Sequence, residues 1–188
     1  KDISVGFLVD NILNHLREDG QSICPNIGDL LSDIAFNSIG YVIPYVGKEL
    51  DEIKYLGLGV FKDSILIDII NIKDTKPLLY VLANNPKIIE LISDSMDDKN
   101  NYSFRVTINK RNIVTAYEND TVVININLDL DAELRYQYYI NQITQDMIKN
   151  FEKELSLKIS NDIFDMVKKA QKEFRCDIFK FGKKFKSQ

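Results

Sequence analysis

Apolar residues recur every three or four positions along the last third of the chain: Ile143, Met147, Phe151, Leu155, Ile159, Ile163 and Val167, followed by Ala170 and Phe174. That period predicts one long amphipathic helix starting near Asn141 to Thr144. A strict four-residue repeat drifts around a helix of about 3.6 residues per turn, so a stripe this long must curve over a surface or be interrupted. A helix laid across a twisted sheet suits it better than a coiled coil, whose repeat averages about 3.5. Two shorter helical patterns open the chain. Ser4 caps a run in which Leu8, Ile12 and Leu16 share a face, and Asp19-Gly20 ends it. Pro25 suits the first turn of a second helix, with Ile27, Leu30, Leu31 and Ile34 on one face before Gly40. These two helices are expected to pack together.

Between the helical ends the pattern becomes β-prone. Tyr41 to Val46 is extended in character, and Pro44 restricts it to an edge. Ile53 to Lys62, a turn at Asp63-Ser64 and Ile65 to Ile72 form a hairpin. Asp74 and Thr75 cap a short helix that has Pro77 near its start and stops at Asn84-Asn85-Pro86. Lys87 to Ser93 fits helix or strand, and Asp97 to Asn101 reads as a loop. Three strands follow, Tyr102 to Ile108, Asn112 to Tyr117 and Thr121 to Leu130, with Asn119-Asp120 as a hairpin turn. The fold class expected is α+β: a small helical N-terminal portion, an antiparallel β-sheet from about Ile53 to Leu130, and the long C-terminal helix packed over it. A boundary near Lys48 to Glu52 separates residues 1–50, the tail of a preceding domain, from a C-terminal domain over residues 51–188.

Composition changes this picture little. The 188 residues are 45% hydrophobic and 28% charged, enough for a buried core without disulfides. The apolar run Ile65 to Ile72 is broken by Asp68 and Asn71, and a membrane span needs about 20 apolar residues. A net charge of −4 argues against nucleic-acid binding, which needs a dense basic surface. Cations nevertheless crowd the end of the chain. They complement a helix C-terminus electrostatically, or they turn a basic face toward anionic lipid, for which Lys180, Lys183, Lys184 and Lys186 are the candidates.

Candidate chemistry is sparse. Cys24 and Cys176 follow no metal spacing, and whether they pair stays open. Cys24 precedes Pro25 at a helix start, where the dipole can lower a thiol pKa, although an inert thiol is the simpler reading. His15 is the only histidine and has Asp19 one helical turn away; a surface position explains it at least as well. No Gly-x-Ser-x-Gly elbow or Cys-His signature points to nucleophilic catalysis. Asn127, Asp129, Asp131 and Glu133 alternate onto one strand face; such oxygens suit Ca²⁺, but the Gly and distal Glu of an EF-hand loop are missing, which favours a solvated face. Tyr136, Tyr138 and Tyr139 suggest core, helix-to-sheet packing or a contact surface, in that order. Gly57 and Gly59 fall on one face of a strand and permit close approach there. Without a following Gly-Lys-Ser/Thr they make no phosphate loop. No catalytic residue, cofactor or metal is expected.

Two segments carry a resemblance. The ending Ala170-Gln171-Lys172-Glu173-Phe174-Arg175-Cys176-Asp177-Ile178-Phe179-Lys180-Phe181-Gly182 closes a helix on Ala-Gln and sets an Asp four and five residues before Phe-Gly. Leu56 to Ile67 places a Gly and a small residue before Val60-Phe61-Lys62, a turn and a second apolar strand. In this order and separation the two resemble the C-subunit lipoproteins of bacterial spore germinant receptors, the GerAC type. The family commonly continues past Phe-Gly with Pro and Trp, whereas this chain has no Trp. The resemblance implies a non-enzymatic lipoprotein subunit, lipid-anchored at the outer face of the spore inner membrane, of which this is a C-terminal fragment without signal or lipidated Cys. It implies membrane-embedded A and B subunits as partners in nutrient sensing. Gly57, Gly59, Phe61, Asp177, Phe181 and Gly182 are its structural motif positions, with Asp177 expected to accept local backbone N–H groups. An extracytoplasmic small-ligand sensor and a small acid/base hydrolase are the alternative readings.

Overall fold

Two three-stranded antiparallel sheets alternate with helices along the chain. The computed structural model describes residues 4–35, 40–93, 100–139 and 142–187. Helix α1 covers Val5–Glu18, and the Ser4 hydroxyl accepts the Phe7 N–H at 3.3 Å. Helix α2 covers Ile27–Ile34, but its cap is Asn26, whose side chain accepts the Asp29 N–H at 2.8 Å. Pro25 therefore precedes the cap instead of opening the helix. An amide oxygen that satisfies an orphan N–H outcompetes a ring that merely tolerates the first turn. The expected α1–α2 pair is not the main packing: α1 lies chiefly against β2 and α2 against β1. Ile27, Leu31 and Ile34 of α2 are exposed.

Strands β1 (Tyr41–Glu49), β2 (Glu52–Lys62) and β3 (Ile65–Asn71) form the first sheet in that order. Pro44 sits on edge strand β1 opposite Leu58, where its missing N–H costs no ladder bond. Asp63 and Ser64 have φ of 50° and 64°, the two left-handed positions of a type I′ hairpin. Leu50 and Asp51, at φ 48° and 67°, turn the chain the same way between β1 and β2. The domain boundary expected at 50/51 thus falls on a hairpin tip, and β1 shares one ladder with β2.

A 3-10 turn (Ile72–Asp74) leads to α3 (Lys76–Leu82), with Pro77 in its first turn and Leu78 to Val81 buried. Strict alternation of burial makes Ile88–Ser93 a strand, β4. Strand β5 (Asn101–Glu118) joins two of the expected strands into one; a bulge between Ile108 and Lys110 explains the break in pattern. Part of the loop expected at Asp97 to Asn101 lies outside the described residues, as does Asn141. Strand β6 (Thr121–Gln137) runs beyond Leu130, after a turn with Asn119 and Asp120 at φ 49° and 61°. The second sheet has the order β4-β5-β6. The single expected sheet is therefore two, with the buried helix α3 intervening between β3 and β4 along the chain.

Thr144 caps α4 (Gln145–Lys169) by accepting the Met147 N–H at 3.3 Å. Its buried positions are Leu155, Ile159, Ile163 and then Met166; the step from four to three returns the stripe to the core. Phe151 anchors the helix on the second sheet, its ring centroid 4.6 Å from Tyr102 and 5.2 Å from Phe104. The stripe is interrupted at Ala170–Phe174, a π-helical turn that ends in left-handed Arg175, and a last short helix, α5, covers Phe181–Lys186.

Candidate functional site

The wide turn after α4 closes when Cys176 N–H reaches the Ala170 carbonyl at 3.4 Å. Asp177 then organises the entry to α5. Its Oδ1 accepts the Phe179 N–H at 3.2 Å and its Oδ2 the Gly182 N–H at 2.7 Å. Helix α5 leaves left-handed Lys180 with no side-chain cap of its own, so Asp177 supplies, from outside the helix, an acceptor for one of the orphan amides. The Phe179 and Phe181 rings stack at 5.2 Å and 7°, and Ile178 between Asp177 and Phe179 is fully buried.

The first hairpin meets this ending. Lys62 Nζ donates to the Arg175 carbonyl at 3.0 Å, while Phe61 stacks on Tyr41 at 5.4 Å and 7°. Gly57 has φ of 140°, and a Cβ there would strike the Ile70 carbonyl, so no other residue fits. Gly59 is less constrained; a Cβ would lie 3.1 Å from the tips of Leu66 and Phe61. At Gly182 a Cβ would make ordinary contact, 3.5 Å from Asp177, and its contribution is the backbone hydrogen bond. Gly40, read from sequence only as a stop after the second helix, admits the C-terminal turn: a Cβ there would run into Cys176 Sγ. The structure brings both resemblance-bearing segments into one junction.

Two buried carboxylates hold the surrounding elements. Asp33 of α2 is 0% exposed; Lys180 Nζ approaches it at 2.7 Å and Lys183 Nζ at 3.7 Å, and Lys183 also donates to Ser32 Oγ at 2.7 Å. Two of the four lysines read as a membrane-facing set are thus turned inward, because a buried carboxylate requires counter-charge more strongly than a lysine requires water. Lys184 and Lys186 are exposed. Glu90 of β4 is also 0% exposed. It receives Lys76 Nζ at 3.2 Å, Lys158 Nζ at 2.8 Å and the Tyr80 hydroxyl at 3.2 Å, and Lys158 bridges to Asp162 at 2.7 Å. Burial, reinforced by the charge of Glu90, pushes the Tyr80 phenol far above its ordinary range. Burial alone would lower the Lys158 ammonium, but hydrogen bonds to Asp162 and Glu90 outweigh it and hold the pKa up.

The other sequence candidates stay apart. Cys24 and Cys176 are free thiols, both pushed up by burial, which reverses the lowering considered for Cys24. His15 is exposed, with Nδ1 2.8 Å from the Asn11 carbonyl instead of engaging Asp19. Asn127, Asp129, Asp131 and Glu133 do form an exposed strand face, where Arg135 holds Glu133 at 2.7 Å. Tyr136, Tyr138 and Tyr139 are exposed surface, not core; Tyr138 and Tyr139 pack edge to face at 4.8 Å. Among the described residues no group of His, Cys, Asp and Glu is placed to hold a metal ion, and no helix is long and apolar enough to cross a membrane. Sequence reasoning missed Asp33 and Glu90. Glu90 carries a readable signal, a charge at an inward position of an alternating apolar strand; Asp33, on a helix face that looks solvated, carries none.

These features agree with comparison to known proteins. No curated protein matches the chain in sequence. The crystal structure of the GerBC protein superposes with a TM-score of 0.60 at 20% identity, covering 91% of this chain, and the chain spans 61% of the length of GerBC. The model of the family described as "Spore germination B3/ GerAC like, C-terminal" matches residues 56–188, a stretch that contains both motifs of the junction. The chain belongs to this family and carries its C-terminal domain over residues 56–188.

Proposed function

We propose that this protein is a non-enzymatic lipoprotein subunit of a nutrient germinant receptor, required for receptor assembly or signalling in spore germination. The observation that carries this reading is the family match over residues 56–188, within which the hairpin and the C-terminal turn lock together. The charged groups of the interior support it: Glu90 and Asp33 are each held by two lysines, an arrangement that joins elements of the fold. In this reading the protein is lipid-anchored at the outer face of the spore inner membrane, residues 1–50 are the tail of a preceding domain, and membrane-embedded A and B subunits are its partners. Lys184 and Lys186 stand nearest to serving as the basic, lipid-facing pair.

Affinity capture of the full-length, tagged protein from dormant-spore inner membrane tests this. Recovery of the A and B subunits is the expected result. A tagged protein found soluble in another compartment and without those subunits would overturn it.

A further inference from the structure

Strand β6 is an edge strand. Among the described residues the sheet order sets no strand beside the outer side of Val122 to Leu130, and alternate N–H and C=O groups along that stretch point away from β5. Helix α4 is anchored over β4 and β5, through Lys158 to Glu90 and through Phe151 to Tyr102 and Phe104. Ile124, Ile126 and Leu128 face Ile159, Ile163 and Phe164 across an open, mainly apolar groove of about 720 Å³. Phe164, at 61% exposure, overhangs it. An apolar face left open beside the last strand of a sheet is a surface that one more strand can cover.

We propose that this edge takes up a β-strand from a partner protein, with apolar side chains filling the groove and basic side chains on the opposite face. The backbone row supplies the hydrogen bonds and the groove the specificity, as in other strand additions. Charge selects the partner. The solvent face of β6 presents Asn127, Asp129, Asp131 and Glu133, and β5 meets it with Lys110 opposite Asp129 and Arg105 opposite Glu133. The same cross-strand rule on the free edge calls for cations. Asp129 and Asp131 are available for it, since among the described residues neither is in an ion pair with a neighbour. A second copy of this chain is disfavoured, because antiparallel β6–β6 pairing would bring like carboxylates together. A lipid acyl chain would fill the groove but leave the backbone row without partners. At the Val122 end, Lys168 lies over the Phe164 ring at 5.2 Å and Lys172 lines the groove, so the inward residue of the guest strand there is polar or acidic.

The probe is a fluorescein-labelled peptide that alternates valine with lysine; its control alternates valine with glutamate. Each is titrated against the whole chain by anisotropy, and amide exchange is followed along β6. The lysine peptide is expected to bind preferentially and slow exchange between Val122 and Leu130. The double variant Asp129→Lys with Asp131→Lys, both at exposed positions, is expected to weaken it by about tenfold and to reverse the preference. Equal binding of both peptides, protection elsewhere, or indifference to charge reversal overturns the proposal. So does protection of the same amides by phosphatidylglycerol vesicles instead of peptide, or by concentration-dependent self-association.

Discussion

Glu90 and Asp33 are equally buried and each faces two lysines, yet they hold different parts of the molecule together. The partners of Glu90 come from α3 and α4, elements already packed in the core, and both of its oxygens receive hydrogen bonds. The partners of Asp33 come from the far end of the chain, at the start of α5, and they pin a helix whose other face, Ile27, Leu31 and Ile34, is exposed. The first cluster fixes the interior of a layer. The second is a latch between the two ends of the sequence, and little apolar burial supports it. Buried ion pairs are weak evidence for stability, because desolvation offsets their attraction, but removing one partner leaves an uncompensated charge and is costly. In this fold one sets a core register and the other a terminal contact.

The largest effect that separates them should come from Glu90→Ala. It removes the acceptor of three donors and leaves a cavity, and a loss of about 3 kcal/mol is expected, read as a lower midpoint in urea for the whole domain. Asp33→Ala should cost less, about 2 kcal/mol, because Lys180 and Lys183 can turn outward to water. Its signature is local: faster amide exchange over residues 27–34 and 176–187 with the second sheet unchanged. Global unfolding by Asp33→Ala would erase the distinction between core clamp and terminal latch.

Asp177→Ala probes the latch from its other side. It frees the Phe179 and Gly182 amides and is expected to cost about 1–2 kcal/mol, to fray α5 and to lower receptor abundance in spores; unchanged melting and abundance would remove that role. The smallest effect concerns pH. The raised Lys158 ammonium gives stability that is full below the ordinary lysine pKa and is lost as pH rises through the folded value. The raised Tyr80 phenol has the same sign, since the fold prefers it protonated. Stability should therefore fall in strong alkali, and the fall should be shallower in Lys158→Met and in Tyr80→Phe, with α2 unaffected. An equal alkaline loss in both variants would detach the titration from the Glu90 cluster.

Much of this was legible in the residues. Ser4, Asp63-Ser64 and Asn119-Asp120 act through their own few neighbours, so a cap and two turns could be placed from sequence. The Asn26 cap was missed because Pro25 gave a competing local signal, and one sheet was read where two exist because strand pattern says nothing about which strands pair. The continuous β5 was divided because a bulge mimics a strand end. For Tyr136, Tyr138 and Tyr139 the aromatic cluster ranks core ahead of helix-to-sheet packing and contact surface, but their exposure depends on where the sheet ends.

The sequence by itself determined the α+β class, the long helix, the two family motifs and the small, charged character of the chain, since each follows from composition, periodicity or contacts within a few residues. Tertiary structure alone decided that Lys180 and Lys183 face Asp33, that Lys62 meets Arg175, that Gly40 admits Cys176, and that β6 and α4 line an open groove beside a strand edge. Those contacts join residues far apart in the chain. Their energies depend on burial and counter-charge, which no local pattern encodes.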